Sequence, residues 1–239
     1  MQIHVYENAQ QVGQAAAMLF AAQVIRKPDS VLGLATGSSP IGCYQQLISW
    51  HQDGALDFSQ CVSYNLDEYV GLPEEHECSY HAFMQEQLFN GINMKETHVP
   101  NGNAADLQAE CLRYDAAIQA AGGIDMQLLG IGRNGHIGFN EPSDHFVYGT
   151  QIVELTESTI QANRRFFESE NDVPRKAISL GIGGIMNAKE VVLIAMGADK
   201  AQAIHDTVYG DVNPQVQASI LRTHPHVTML LDKAAASLL

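Results

Sequence analysis

Seven short apolar runs alternate with longer stretches of helical period along this chain of 239 residues. The runs are IHVYE (3–7), VLGLAT (31–36), CVSYNL (61–66), MQLLGI (126–131), AISLGI (177–182), VVLIAM (191–196) and HVTMLL (226–231). Helical patterns fall near 9–26, 40–52, 79–90, 104–121, 157–169, 198–208 and 214–221. Most of the strands are apolar on both faces, as strands sandwiched between helices must be. Strand–helix alternation predicts an α/β fold with a mainly parallel sheet. In such sheets ligands bind beyond the carboxyl ends of the strands, in the loops that lead to helices. No repeat, low-complexity linker or charge block divides the chain, so one domain over residues 1–239 is expected.

Charge narrows the partners. Thirteen Lys and Arg against 27 Asp and Glu leave a formal net charge of −14. Phosphate backbones and anionic membranes need a basic footprint, so neither nucleic acid nor membrane is an expected partner. A phosphate-bearing substrate would need a few local donors to overcome the long-range field. Apolar stretches such as 191–196 are too short to span a bilayer. The N-terminus lacks a basic region followed by an apolar run. The four cysteines are scattered with no C-x-x-C pair, which fits reduced thiols and a cytoplasmic setting.

Three strand-exit loops carry candidate chemistry. After the strand at 31–36 the chain reads Thr36-Gly37-Ser38-Ser39-Pro40, with Ser39 suited to a helix N-cap and Pro40 to the first helical position. Free N–H groups, two hydroxyls and the positive helix end would form an anion site. Taken alone, the stretch reads as an ordinary capped helix start. Asp67 and Glu68 follow directly on the strand at 61–66. Neighbours in extended chain point oppositely, so the two carboxylates are expected to have different tasks. One could act as a general base in a cleft; both could equally punctuate a solvated turn. The third loop is GIGRNGHIGFNEP, 130–142. Gly130, Gly132 and Gly135 match G-x-G-x-x-G, but that fingerprint needs a helix to start there, and Gly138 and Pro142 interrupt any helical run. Nicotinamide binding is therefore not expected. The glycines instead let the backbone approach a ligand and place His136 in a cramped site with Glu141 close in sequence.

TGSSP (36–40), NLDEYVGL (65–72), SYHAFM (79–84), NGNA (101–104), GIGRNGHIGFNEP (130–142), RRFF (164–167) and GADKA (197–201), in this order, resemble the glucosamine-6-phosphate deaminase (isomerase) family. The blocks run from about residue 31 to beyond 200. The resemblance implies a three-layer α/β/α sandwich around a Rossmann-like, mainly parallel sheet of about seven strands. It also implies conversion of glucosamine 6-phosphate and water to fructose 6-phosphate and ammonia. By resemblance Thr36, Gly37, Ser38 and Ser39 cradle the phosphate, helped by Arg165 and Lys200. A guanidinium fork and a point charge suit a phosphate dianion. His136 would move a proton between ring oxygen and anomeric hydroxyl, oriented by Glu141 and Asn134. Asp67 would take the C2 proton. The substrate supplies its own nitrogen and no redox step occurs, so no pyridoxal, nicotinamide or other cofactor is expected, and no metal.

Asn134 departs from the Asp of long-chain family members. Its carbonyl is expected to fix the histidine tautomer while supplying no negative charge to stabilise an imidazolium. The His76–His81 stretch matches no metal-ligand spacing; Ser79 is expected to cap a helix there, beside a mobile lid. A 6-phosphogluconolactonase-like hydrolase is the rival enzyme, and a non-catalytic sugar-phosphate sensor the rival from another class. Asn140-Glu141-Pro142 and the presence of Asp67 favour the deaminase. Long members are hexamers activated by N-acetylglucosamine 6-phosphate and run further at the C-terminus; this chain is expected to be a monomer without that regulation.

Overall fold

The computed structural model describes residues 1–239 except 165, 166, 168, 170 and 171, with Ser158 and Ala162 described as backbone only. Arg165, a predicted phosphate ligand, thus lies outside the described residues. Ten strands are described: β1 (Gln2–Tyr6), β2 (Val31–Leu34), β3 (Val62–Asn65), β4 (Asp67–Tyr69), β5 (Glu96–His98), β6 (Met126–Leu129), β7 (Gln151–Glu154), β8 (Lys176–Ser179), β9 (Glu190–Ala195) and β10 (Val227–Asp232). The helices are α1 (Ala9–Arg26), α2 (Ile41–Gln52), α3 (Tyr80–Gln87), α4 (Leu107–Ala120), α5 (Glu157–Asn163), α6 (Ile182–Met186) and α7 (Ala201–Tyr209). No described helix is long and apolar enough to cross a membrane.

Seven strands form one parallel sheet in the order β1-β10-β9-β6-β2-β3-β5, with helices on both sides. The α/β/α architecture read from the alternation is the one observed. Strands β2 and β6 are buried along their whole length, and Leu32, Leu34, Leu128 and Leu193 form the centre of the core at 1% exposure or less. Each such leucine contributes roughly 1.5–3 kcal/mol relative to an exposed one.

The membership of the sheet differs from the sequence reading in one respect. The run at 177–182 is expected as a strand of the mainly parallel sheet; β8 lies instead in a separate three-stranded sheet, antiparallel between β4 and β7. The seventh place in the main sheet is taken by β5, at the edge, whose sequence Glu-Thr-His carries no apolar signal. At the opposite edge, Ile3 and Val5 of β1 stand exposed, so this strand is not covered on both faces. The helix expected over 214–221 is a 3-10 segment, Gln217–Thr223. Ser39 does not cap α2: the N-cap position falls on Pro40, one residue later, with no side-chain cap bond. Ser79 does cap α3, its side chain accepting from the Ala82 amide.

Strand order locates the site. From β2 the chain steps to β3 and β5 on one side, then returns across β2 to β6, β9 and β10 on the other. The loops leaving β2 and β6 therefore diverge, and a crevice opens between them at their carboxyl ends. Thr36–Ser39 leave one strand and Gly130–Glu141 leave the other.

Candidate active site

A cleft of about 950 Å³ opens at this point. Four adjacent strands line it through their exits: Thr36–Ser39 after β2, Leu66 and Asp67 after β3, residues of 130–139 after β6, and Met196, Asp199 and Lys200 after β9. Tyr80 of α3 and Thr159, Gln161 and Asn163 of α5 complete the wall. Sequence positions up to 164 residues apart meet here because parallel strands all deliver their loops to the same end of the sheet.

Asp67 and Glu68 separate as extended neighbours must. Asp67 lines the cleft while only 5% exposed, and the Thr36 hydroxyl donates to its Oδ1 at 3.3 Å. Burial, then the charge of Glu68, pushes the Asp67 carboxyl up to about 7 against that hydrogen bond. Glu68 turns away. Its oxygens accept from the backbone N–H groups of Tyr69, Tyr80 and His81 at 2.8, 3.0 and 2.9 Å. A carboxylate on the open amides of a helix start satisfies orphan donors and meets the positive end of the dipole. Glu68 thus fastens α3, with Tyr80 on it, to the strand that carries Asp67.

The loop after β6 runs into no helix; Gly135 and Gly138 take positive φ, and an isolated bridge joins Ile137 and Asn140. A Cβ on Gly132 would lie 2.4–2.6 Å from atoms of the His136 ring, a distance no side chain tolerates. A Cβ on Gly138 would meet Ser179 Oγ at 3.1 Å and Asp67 Oδ2 at 3.7 Å. These two glycines let the loop fold over its own histidine and lie against the aspartate. Asn140 pins the loop from below, donating to the carbonyls of Ile137 and Leu180 at 2.9 Å each.

The His136 imidazole faces Glu141, with Nδ1 3.3 Å from Oε2 but without the alignment of a hydrogen bond. Glu141 Oε2 accepts from Asn134 Nδ2 at 2.8 Å, and Oε1 accepts from the Thr159 hydroxyl. Burial acts to raise the Glu141 carboxyl; the imidazole, the Thr159 hydroxyl and the Asn134 amide outweigh it and hold the group at about 2. It is a carboxylate across the whole neutral range. Asn134 does not do what the sequence suggested. Its carbonyl takes the backbone N–H of His136 at 3.2 Å rather than a ring nitrogen, and its amide reaches the imidazole only through Glu141. The loop's tight turn points the Asn134 oxygen at the backbone.

The remaining predicted ligands among the described residues gather across the cleft. Gly37 has φ +89°, which opens the turn between β2 and α2, and Gly37, Ser38 and Ser39 face the cavity. Lys200 reaches it from the segment after β9, with Nζ 4.0 Å from Asp199 Oδ2. A second cation stands beside it: Arg133, whose Nε donates to the same Asp199 oxygen at 2.8 Å. Among the described residues, Arg133 and Lys200 thus both meet Asp199 at this mouth of the cleft, in a chain of formal charge −14. Among the described residues no group of three or more His, Cys, Asp or Glu side chains is placed to hold a metal ion.

A family model described as glucosamine-6-phosphate isomerases/6-phosphogluconolactonase matches residues 6–229. The chain belongs to this family. Glucosamine-6-phosphate deaminase from Halothermothrix orenii is 53% identical over 241 aligned positions, covering 100% of both chains. A monomeric glucosamine-6-phosphate deaminase of known structure superposes with a TM-score of 0.98 at 44% identity, again over 100% of both. The 6-phosphogluconolactonase from Trypanosoma brucei superposes with a TM-score of 0.74 at 20% identity, covering 100% of this chain and 98% of that one, a likeness of fold alone.

Within this isomerase/lactonase fold, Thr36, Gly37, Ser38, Ser39, Asp67, Asn134, His136 and Lys200 line one cavity, and Glu141 stands directly behind the imidazole. Sequence reasoning missed Arg133, Tyr80, Thr159, Gln161 and Asn163. Arg133 lies inside the nominated glycine loop and could have been found there. Nothing in local spacing links Thr159 to a carboxylate 18 residues earlier.

Proposed function

We propose that this chain is a glucosamine-6-phosphate deaminase, releasing ammonia from glucosamine 6-phosphate and leaving fructose 6-phosphate. One observation carries the reading: a buried carboxylate raised to about 7 and an imidazole backed by a carboxylate held at about 2 share one cleft with the Thr36–Ser39 turn. Relatives of that name at about half identity over the full chain support the choice of substrate.

The chemistry follows from the two sites of proton exchange. The phosphate is held by Thr36–Ser39 and Lys200, with Arg165 as a further ligand by family resemblance. This tether fixes the far end of the sugar. His136 then takes the anomeric hydroxyl proton and delivers a proton to the ring oxygen, opening the pyranose to the C1 aldehyde. A neutral imidazole has one donor and one acceptor nitrogen, which suits transfer in both directions. Glu141 stabilises the transient imidazolium and Asn134 steadies Glu141. Asp67 removes the C2 proton, whose electrons pass toward C1, and returns it to C1. The aldose amine becomes a ketose imine. Water adds at C2 and the C–N bond breaks, so ammonia leaves. A base with a pKa near the working pH is both ionised and basic enough for this exchange. No cofactor enters the scheme. We take residues 1–239 as one such domain, acting as a monomer in the cytoplasm; the monomeric deaminase of near-identical fold supports the oligomeric state.

The test is ammonia release from glucosamine 6-phosphate beside hydrolysis of 6-phosphogluconolactone. Turnover of the first alone is expected. Hydrolysis of the lactone alone would replace this reading with the hydrolase one, and binding of the sugar phosphate without turnover would replace it with a sensor.

A further inference from the structure

α5 is fastened to both halves of the cleft. At its first turn Thr156 caps the helix, its hydroxyl accepting from the Thr159 amide. The same Thr156 hydroxyl donates to Thr159 Oγ1 at 3.1 Å, and Thr159 Oγ1 donates onward to Glu141 Oε1. At its other end Asn163 Nδ2 donates to the Tyr69 hydroxyl at 2.9 Å, on the strand that begins with Asp67. The relay of hydroxyls therefore ends on the carboxylate behind the imidazole, and the amide ends on the strand of the buried aspartate. Thr159 is 4% exposed and the Glu141 side chain 9%, so solvent has limited access to the bond between them.

We propose that Thr159 is a positioning residue: its hydroxyl holds Glu141 facing His136, so that proton transfer at the ring oxygen depends on α5 being seated over the cleft. This rests on the deaminase reading and assigns a residue outside the three strand-exit loops to the same chemistry. Glu141 has one other oxygen, shared between the Asn134 amide and the imidazole. Without the hydroxyl, Oε1 loses the donor it has among the described residues, and rotation toward another partner takes Oε2 away from Nδ1. Among the described residues, the groups that meet Glu141 are the His136 imidazole, the Thr159 hydroxyl and the Asn134 amide. Its protonation then reports directly on whether the hydroxyl bond exists.

The test compares Thr159→Val, which is isosteric and lacks the donor, with Thr159→Ser, which keeps it. Removing a hydrogen bond to a charged group is expected to lower kcat by about ten- to a hundredfold, with KM for glucosamine 6-phosphate within about twofold. The serine variant should recover most of the loss. Separately, carboxyl NMR of Glu141, assigned with Glu141→Gln, should show its titration moving to higher pH in the valine variant. That readout needs no substrate, so it stands even if the wild-type protein fails to release ammonia and the functional reading falls. Wild-type kcat in the valine variant, a serine variant no better than valine, a loss confined to KM, or an unmoved Glu141 titration would each overturn the assignment.

Discussion

Replacing Asp67 by Asn should make the protein more stable at alkaline pH while it abolishes turnover. The carboxyl is 5% exposed, sits beside Glu68, and has the Thr36 hydroxyl as its hydrogen-bond donor. Its pKa is raised from 3.8 in the unfolded chain to about 7 in the fold. Between those values the folded protein holds a proton that the unfolded chain releases, so stability falls as pH rises through this window. The native state is favoured fully below 3.8 and bears the whole cost above about 7. About three pKa units at 1.36 kcal/mol each make that cost roughly 4 kcal/mol. Asparagine never ionises and keeps an oxygen for the Thr36 hydroxyl, so the variant escapes the penalty. For a chain of this size roughly 4 kcal/mol corresponds to a Tm about 8–16 °C higher. The assay is thermal unfolding of both proteins by calorimetry at pH 8 and at pH 4.5. The gain should be near its full size at pH 8 and shrink to about 1 kcal/mol at pH 4.5. A variant equally stable or less stable at pH 8, or a gain that does not depend on pH, would refute the argument. Ammonia release should be lost in the same protein while sugar-phosphate binding persists. Full activity would remove Asp67 from the role of base.

Three further outcomes are expected. Glu141→Gln should destabilise by roughly 3 kcal/mol at pH 5.5, because a carboxyl held at about 2 instead of 4.5 contributes stability above 4.5 that is lost as pH falls to about 2; urea unfolding at pH 5.5 and pH 3 should show the gap closing. Gly132→Ala places a methyl within 2.6 Å of the imidazole, so kcat should drop about a hundredfold, and undiminished turnover would show that His136 can move aside at no cost. Asn134→Asp exchanges the donor 2.8 Å from Glu141 for a second carboxylate. The acid limb of the pH–rate profile should then move to higher pH, and an unchanged limb would show that position 134 does not act on the imidazole.

The amino-acid order by itself determined the class of fold and the place of the site. Helix and strand periods are local properties of the chain, and central strands covered on both faces announce themselves as apolar runs such as VVLIAM. Loops after such strands lie at one end of the sheet, which made Asp67, His136 and the turn at 36–39 candidates beside plainer readings, and the family resemblance of their motifs is what singled them out. Strands of three polar residues, like β5, and strands paired outside the main sheet, like β8, carry no local mark of their partners; only register across the assembled sheets decided them. The same holds for the finer chemistry. Which way Asn134 turns its amide, that Glu68 caps a helix while Asp67 faces the cavity, and that a hydroxyl from α5 reaches Glu141 are matters of side-chain direction between elements far apart in sequence. Hydrogen bonds between distant elements depend on packing, and packing exists only once the layers have closed.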